Sequence, residues 1–247
     1  MITQSVEDGV RILRLDRPEK KNALTGEMYT ALAQALETAN DDDTIRCQLI
    51  CGHPGAFTGG NDIADFLQYA GKVDMTKTPV VRFLRALARN DTPLVAAVDG
   101  VAIGVGATLL MHCDMVFASP AAFIRSPFVD LGLVPEAGSS LLGPALMGHA
   151  RAFELLCLGR GLSAERAYEV GLVNEIADDA QAAALACARE IAAKPAEAMK
   201  LARRLLRGNT KPLEERVEEE AAIFAQRLTA PETVAAFQAF MMKGKSG

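Results

Sequence analysis

The chain has 247 residues; half are hydrophobic, only 5% are aromatic, and none is Trp. That is ample apolar surface for one large globular domain, or one with a small appendage. Lys plus Arg number 26 against 31 Asp plus Glu, a net charge of −5, so neither a basic field nor the stacking rings of a nucleic-acid reader are expected. The scattered His53, His112 and His149 argue against a multi-His metal site, and no metal is expected.

Val10–Leu15 alternates like a strand and is broken by DRPEKKNAL. Gly26–Asn40 carries Met28, Leu32, Ala35, Leu36 and Ala39 at helical spacing. Ile45–Cys51 is a short apolar strand, followed by the glycine-rich loop GHPGAFTGGND. A short helix from Asp62 onward is expected, capped by Asn61 or Asp62. Gln68–Pro79 reads as a polar, irregular loop, Val80–Arg89 as a helix, and Pro93–Val98 as a strand buried on both faces. A second glycine-rich loop, DGVAIGVG, leads to a helix over Ala107–His112 and a strand over Met115–Ala118. Helical patterns then cover Ser139–Leu146, His149–Leu158 and Ser163–Val170, with a brief strand over Leu172–Glu175. Asp178–Lys243 is almost all helix, cut at Pro195, Gly208–Pro212 and Pro231. Early alternation and late helices predict an α/β core with a helical C-terminal part. The late apolar residues Leu201, Leu205, Leu206, Ile223, Phe224, Leu228, Phe237 and Phe240 are too few for a separate core. Some of that surface is expected to pack on the main domain or on another subunit.

Cys47, Cys51, Cys113, Cys157 and Cys187 show no C-x-x-C or zinc spacing, which predicts reduced, buried thiols. The opening MITQSVEDGV lacks a basic apolar leader, and the apolar stretch Val95–Leu110 is interrupted by Asp99 and glycines. The closing KGKSG carries no retention or peroxisomal tail. A soluble, cytoplasmic protein without membrane contact is expected. Neither glycine loop has phosphate-binding spacing. Gly138-Ser139-Ser140 is not a nucleophile elbow, and its serines are expected to cap the following helix.

Ala56-Phe57-Thr58-Gly59-Gly60-Asn61-Asp62-Ile63 and Pro93 through Gly106 resemble the two oxyanion loops of the crotonase superfamily of enoyl-CoA hydratases and isomerases. Cys113-Asp114-Met115-Val116-Phe117-Ala118 is similar to the strand that follows in that family. Leu162-Ser163-Ala164-Glu165-Arg166-Ala167 with Gly171-Leu172-Val173-Asn174 is similar to a later stretch of it. Arg17-Pro18 and Asn22-Ala23-Leu24 resemble the loop that lies along coenzyme A. The resemblance runs in order over essentially the whole chain. It implies a crotonase spiral core of ββα units over residues 1–190 and a helical C-terminal oligomerisation region over 191–247. It also implies an acyl-CoA thioester substrate, no separate cofactor, and a homotrimer or dimer of trimers.

By the same resemblance, the backbone N–H groups of Asn61 and Val105 form an oxyanion hole. Gly59, Gly60, Gly104 and Gly106 let the backbone approach without a Cβ in the way. Lys21, Asn22, Ala23, Leu24, Gly59, Gly60, Asp62, Ile63, Gly104, Phe66 and Phe128 are implied at the substrate and CoA site. Phe57, Leu67 and Phe83 are further candidates for the acyl pocket, and Lys20, Lys21 and Lys243 for the CoA phosphates. Ala64 stands where hydratases often carry a Lys. The two hydratase glutamates are replaced by Thr108 and Phe128, so water addition by that route is not expected. Glu136, in Pro135-Glu136-Ala137-Gly138, resembles the single acid/base of the Δ3,Δ2-enoyl-CoA isomerase branch. Phe128, Val129, Leu133 and Val134 are expected to surround it and to raise its pKa. Asp130 is a peripheral competitor. The expected reaction moves a proton from C2 to C4 of a 3-enoyl-CoA, giving the trans-2-enoyl-CoA. The alternatives are a hydratase-like enzyme with an unusual base and a non-catalytic acyl-CoA-binding module.

Overall fold

A computed structural model describes residues 1–66, 74 and 77–243. A hairpin of β1 (Ile2–Glu7) and β2 (Val10–Leu15) opens the chain, and α1 (Gly26–Asn40) follows, capped by the Thr25 hydroxyl on the Met28 N–H. Next come β3 (Cys47–Cys51), β4 (Ala56–Thr58), α2 (Ile63–Phe66) and α3 (Pro79–Arg89). Then β5 (Leu94–Val98), β6 (Val101–Ile103) and α4 (Val105–Thr108) precede a 3-10 segment, Leu109–His112. The strands β7 (Met115–Ala118) and β8 (Phe123–Arg125) complete the winding.

Two sheets result, ordered β1-β2-β3-β5-β7-β10 and β4-β6-β8-β9. Here β9 is Leu162–Ser163 and β10 is Glu175–Ile176. Each winding of the chain gives one strand to the larger sheet and the next to the smaller: β3 then β4, β5 then β6, β7 then β8. The pairs β3/β5, β5/β7, β4/β6 and β6/β8 are all parallel. This spiral gathers the loops after β4 and β6 on one side of the molecule.

The central strands β3 and β5 of the larger sheet are buried on both faces, which is why they read as continuous apolar runs, whereas the edge strand β1 is largely exposed. One face carries Cys47, Leu49, Cys51, Val95, Ala97 and Phe117 against Ala180, Ala184, Ala188 and Ala192 of α8 (Ala180–Ala193). Spacing by four puts these alanines on one stripe, and small side chains let the helix lie close to the sheet. The opposite face holds Leu13, Ile50, Leu94 and Ala96 in one cluster with Tyr29 and Leu32 of α1 and Phe83 and Leu87 of α3. The rings of Tyr29 and Phe83 lie 5.5 Å apart.

The remaining helices are α5 (Ser139–Met147), α6 (His149–Leu156), α7 (Ala164–Glu169), α9 (Ala196–Arg207), α10 (Lys211–Leu228) and α11 (Pro231–Lys243). Phe224, Leu228 and Phe237 are buried in the main core. Leu205 and Leu206 are 84% and 90% exposed, and Leu201 and Ile223 are exposed as well. Two arginines of α3 ion-pair with α10, Arg85 with Glu218 at 2.5 Å and Arg89 with Glu214 at 2.7 Å, so α10 lies along α3.

Several expectations are corrected. The glycine loops contain β4 and β6, strands of three residues, too short for a period of two to register. The helix expected from Ala107 begins at Val105 and tightens to a 3-10 segment at Leu109. The strand expected over Leu172–Glu175 is β10, Glu175–Ile176. Cys47 and Cys51 are buried, whereas Cys113, Cys157 and Cys187 are only half-buried. The loop expected over Gln68–Pro79 falls largely outside the described residues. Among the described residues, no helix is long and apolar enough to cross a membrane.

Candidate active site

The two glycine loops meet because β4 and β6 pair, with Ala56 opposite Val101 and Thr58 opposite Ala102. A Cβ on Gly60 would lie 2.9 Å from the Ile103 carbonyl oxygen, and one on Gly106 would lie 2.4 Å from Thr58 Cγ2. Both positions therefore need glycine for space, and Gly60 also has φ +90°. At Gly59 the nearest atom would be 3.5 Å away, an ordinary contact, so the expected crowding is absent there. At Gly104 the demand is conformational, with φ +58° in open space. Among the described residues, the N–H groups of Asn61 and Val105 have no acceptor. Asn61 and Gly104 both line a cavity of about 100 Å³ with Gly59, Gly60, Ile63, Phe128, Leu131, Leu133, Phe224 and Phe237.

The segment Lys21-Asn22-Ala23-Leu24 is bolted to the first loop. Lys21 and Asn22 both take left-handed backbone angles, φ 49° and 54°. The Asn22 side chain is fully buried; its Oδ1 accepts from the Arg17 N–H at 2.8 Å, and its Nδ2 donates to the Ala56 and Phe57 carbonyls. The Thr58 hydroxyl donates back to the Asn22 carbonyl at 2.7 Å. The Gly59 N–H bonds the Lys21 carbonyl, and Leu24 pairs with Gly60 and Asp62. Asn22 thus sits beside the site as a fastening, its amide already occupied. Arg17 reaches Asp62 at 2.7 Å, and Asp62 Oδ1 accepts from the Ala64 N–H. Lys20 and Lys21 are exposed. Phe66 ends α2, but its side chain lies outside the described residues, as does that of Lys243.

Asp62 therefore does the capping expected of either residue. The Asn61 side chain faces elsewhere: its Oδ1 accepts a hydrogen bond from the buried Tyr29 hydroxyl. Phe57 and Phe83 are core residues and line neither cavity of the site. Asp130 is exposed and paired with Arg125 at 2.9 Å.

Glu136 is 5% exposed. It lines a tight cavity of about 20 Å³ with Asn61, Val80, Val81, Leu84, Ala221 and Phe224. Asn61 and Phe224 are shared with the larger cavity, so the two adjoin. The apolar walls come from α3 and α10, not from Phe128, Val129, Leu133 and Val134 as expected; Val129 is exposed, and Phe128 and Leu133 face the larger cavity. Burial pushes the Glu136 carboxyl up to about 7, against the Thr108 hydroxyl that favours its charged form and with the negative Glu220 that opposes it. The Thr108 hydroxyl donates to Glu136 Oε1 at 2.6 Å.

The turn after Glu136 takes two left-handed residues, Ala137 at φ 64° and Gly138 at φ 67°. His112 Nε2 lies 2.6 Å from the Ala137 carbonyl oxygen, so that nitrogen carries the proton. Burial lowers the His112 pKa to about 4 and keeps the ring neutral. Glu220 of α10 closes the N-terminus of α5, accepting from the Gly138 N–H at 2.6 Å and the Ser140 N–H at 3.0 Å. The serines expected to cap α5 do not: Ser139 Oγ is buried without a partner among the described residues, and Ser140 Oγ accepts from Arg216. A carboxylate from another helix suits the positive end of α5 better than a hydroxyl does.

Sequence reasoning missed Tyr29, His112 and Glu220 as members of this surround. Glu220 sits in the run Glu218-Glu219-Glu220, which reads as a solvated face. Its spacing from the buried Val217, Ala221 and Phe224 on the same helix was the available signal. Among the described residues no group of three His, Cys, Asp or Glu is placed to hold a metal.

Known proteins match over the length of this architecture. The sequence pattern of the enoyl-CoA hydratase/isomerase family matches residues 5–246. The 1,2-epoxyphenylacetyl-CoA isomerase of Escherichia coli K12 is 40% identical over 201 residues, 78% of this chain and 77% of that one. Enoyl-CoA delta isomerase 2 of Rattus norvegicus is 33% identical over 96% of this chain, which spans only 62% of the rat protein. The crystal structure of an enoyl-CoA hydratase/isomerase from Pseudoalteromonas atlantica superposes with a TM-score of 0.92 at 42% identity, covering 98% of this chain and 97% of that one. With the spiral of two sheets and its facing glycine loops already in place, these matches settle the family: the chain belongs to the enoyl-CoA hydratase/isomerase family of the crotonase superfamily.

Proposed function

We propose that the protein is an acyl-CoA double-bond isomerase that converts 3-enoyl-CoA to trans-2-enoyl-CoA with Glu136 as its single acid/base. The observation that carries this reading is the placement of Glu136: a buried carboxyl, pushed up to about 7, in a cavity that shares Asn61 with the glycine-loop cavity. Near neutral pH such a group is present both ionised and protonated, so it can take a proton and give it back. The thioester oxygen sits between the Asn61 and Val105 N–H groups. Ionised Glu136 takes the proton from C2, and the electron pair moves onto the thioester oxygen as a dienolate. Each preorganised donor is worth about 3 kcal/mol at that oxygen. The pair then returns through the conjugated system, the double bond forms between C2 and C3, and Glu136 delivers its proton to C4. No water is consumed.

Thr108 and Phe128 disfavour hydration, since neither activates a water near neutral pH. The assay is the appearance of 2-enoyl thioester from 3-enoyl-CoA substrates of several chain lengths. The expected result is turnover by the wild type and none by Glu136→Gln; turnover by Glu136→Gln, or hydration of crotonyl-CoA as the main activity, refutes the proposal. Tight acyl-CoA binding without turnover points instead to a non-catalytic module. A homotrimer or dimer of trimers is proposed with it, supported by the exposed Leu201, Leu205 and Leu206 of α9. A monomer mass by light scattering refutes that part.

A further inference from the structure

Thr108 is fully buried, and it lines neither cavity of the site. Its hydroxyl proton has three acceptors within reach: Glu136 Oε1 at 2.6 Å, the Val105 carbonyl at 3.3 Å and the Gly104 carbonyl at 3.5 Å. A hydroxyl donates one proton, and the short approach to a carboxylate outcompetes the two long ones to backbone carbonyls. The bond is made to one named oxygen of Glu136. Oε2 has no donor among the described residues. The two oxygens of this carboxylate are therefore unequal before any substrate arrives: Oε1 is engaged and is the poorer base, and Oε2 is the one left to accept a proton.

We infer that Thr108 is a positioning residue for Glu136, holding the carboxylate in one orientation through Oε1 and reserving Oε2 for the proton in transit between C2 and C4. This rests on the isomerase reading above. Protonation of Oε2 leaves Oε1 able to accept from Thr108, so the same bond persists through both halves of the reaction. The carboxylate need not reorient between taking the proton and giving it back. The anchoring is rigid, because Thr108 closes α4, and α4 begins at Val105, which carries one of the two proposed oxyanion donors. A single short helix thus places the oxyanion donor and the group that aims the base.

Two variants separate the hydroxyl from the space it fills. Thr108→Val keeps the shape and removes the donor; Thr108→Ser keeps the donor. In Thr108→Val, kcat on 3-enoyl-CoA should fall about tenfold to a hundredfold, the usual range for loss of a hydrogen bond to a charged group. KM should stay within about twofold, since the side chain lines no cavity. The acid limb of the pH profile should move to higher pH, because the lost bond favoured ionised Glu136. Among the described residues, the other titratable groups facing Glu136 are Tyr29 of α1 and Glu220 of α10, and both stay in place; the arginines of α3 are paired with Glu37, Glu218 and Glu214. Thr108→Ser should restore both the rate and the limb.

Equal losses in the Val and Ser variants, or a Thr108→Val variant with the wild-type rate and limb, overturn the inference while leaving Glu136→Gln as the test of the isomerase reading. A second measurement needs no turnover. The carboxyl stretch of Glu136 in pH-difference infrared spectra is identified by its loss in Glu136→Gln. Its midpoint should rise in Thr108→Val and return in Thr108→Ser. An unmoved midpoint overturns the role of Thr108 whatever the activity of the wild type.

Discussion

Burying a carboxyl leaves a mark on stability, and for Glu136 that mark can be read without any turnover. The folded chain holds the Glu136 proton up to about pH 7, while an ordinary carboxyl releases it near 4.5. Between those values the folded state keeps a proton that the unfolded chain has lost, so stability falls as pH rises through that window. At about 1.4 kcal/mol per tenfold, the loss is about 3 kcal/mol by pH 8. Glu136→Gln has no proton to lose there. Its stability relative to wild type should rise by about 3 kcal/mol between pH 4.5 and pH 8, and any penalty from burying the amide is the same at every pH. For a chain of this size that is about 6–12 °C in the difference of melting temperatures. The assay is thermal or urea unfolding of both proteins at matched concentration across that pH range, because self-association shifts apparent stability. Parallel pH dependences in the two proteins would show that Glu136 is not held protonated by burial, and the acid/base reasoning would fail with it.

Three other perturbations follow from the surround. Glu220→Gln removes the negative charge that opposes ionisation of Glu136 and one acceptor at the start of α5. The acid limb of the proposed isomerisation should move to lower pH and stability should drop by about 1.5–3 kcal/mol; an unmoved limb would separate Glu220 from the proposed base. Asn22→Ala leaves the Arg17 N–H and the Ala56 and Phe57 carbonyls without their partner and puts a Cβ residue without a polar side chain at φ 54°. A loss of about 3 kcal/mol or more in denaturant unfolding is expected, and a loss under 1 kcal/mol would contradict the fastening role. Gly60→Ala forces a Cβ to within 2.9 Å of the Ile103 carbonyl in a left-handed conformation. It should part the two loops and lower kcat by about a hundredfold, as loss of an oxyanion donor does; wild-type kcat would refute the proposed oxyanion geometry.

What could be read from the sequence followed the length scale of each interaction. The bounds of α1 and β7 came out as expected because a fifteen-residue apolar period and a run of Met115–Ala118 are local signals. The smaller sheet stayed hidden, since β4 and β6 are each three residues long and sit inside glycine loops. At the site, the positions of Glu136, Asn61 and Val105 came from resemblance to a family. The environment that makes Glu136 unusual is built from Val80, Val81 and Leu84 on one side and Ala221 and Phe224 on the other. Those segments are more than fifty residues away on either side, and no local pattern around Pro135-Glu136 announces them. Thr108 was legible only as an absent carboxylate; that its hydroxyl reaches Glu136 depends on the spiral bringing α4 to the turn before α5.

The most direct test of the central claim follows the proton itself. A 3-enoyl-CoA carrying deuterium at C2 is converted in ordinary water, and the 2-enoyl product is examined by mass spectrometry and NMR. A single buried carboxyl that moves the proton from C2 to C4 predicts a measurable share of the deuterium at C4, and none of the label moved in Glu136→Gln. A product with no deuterium at C4, or a 3-hydroxyacyl-CoA in its place, would contradict it.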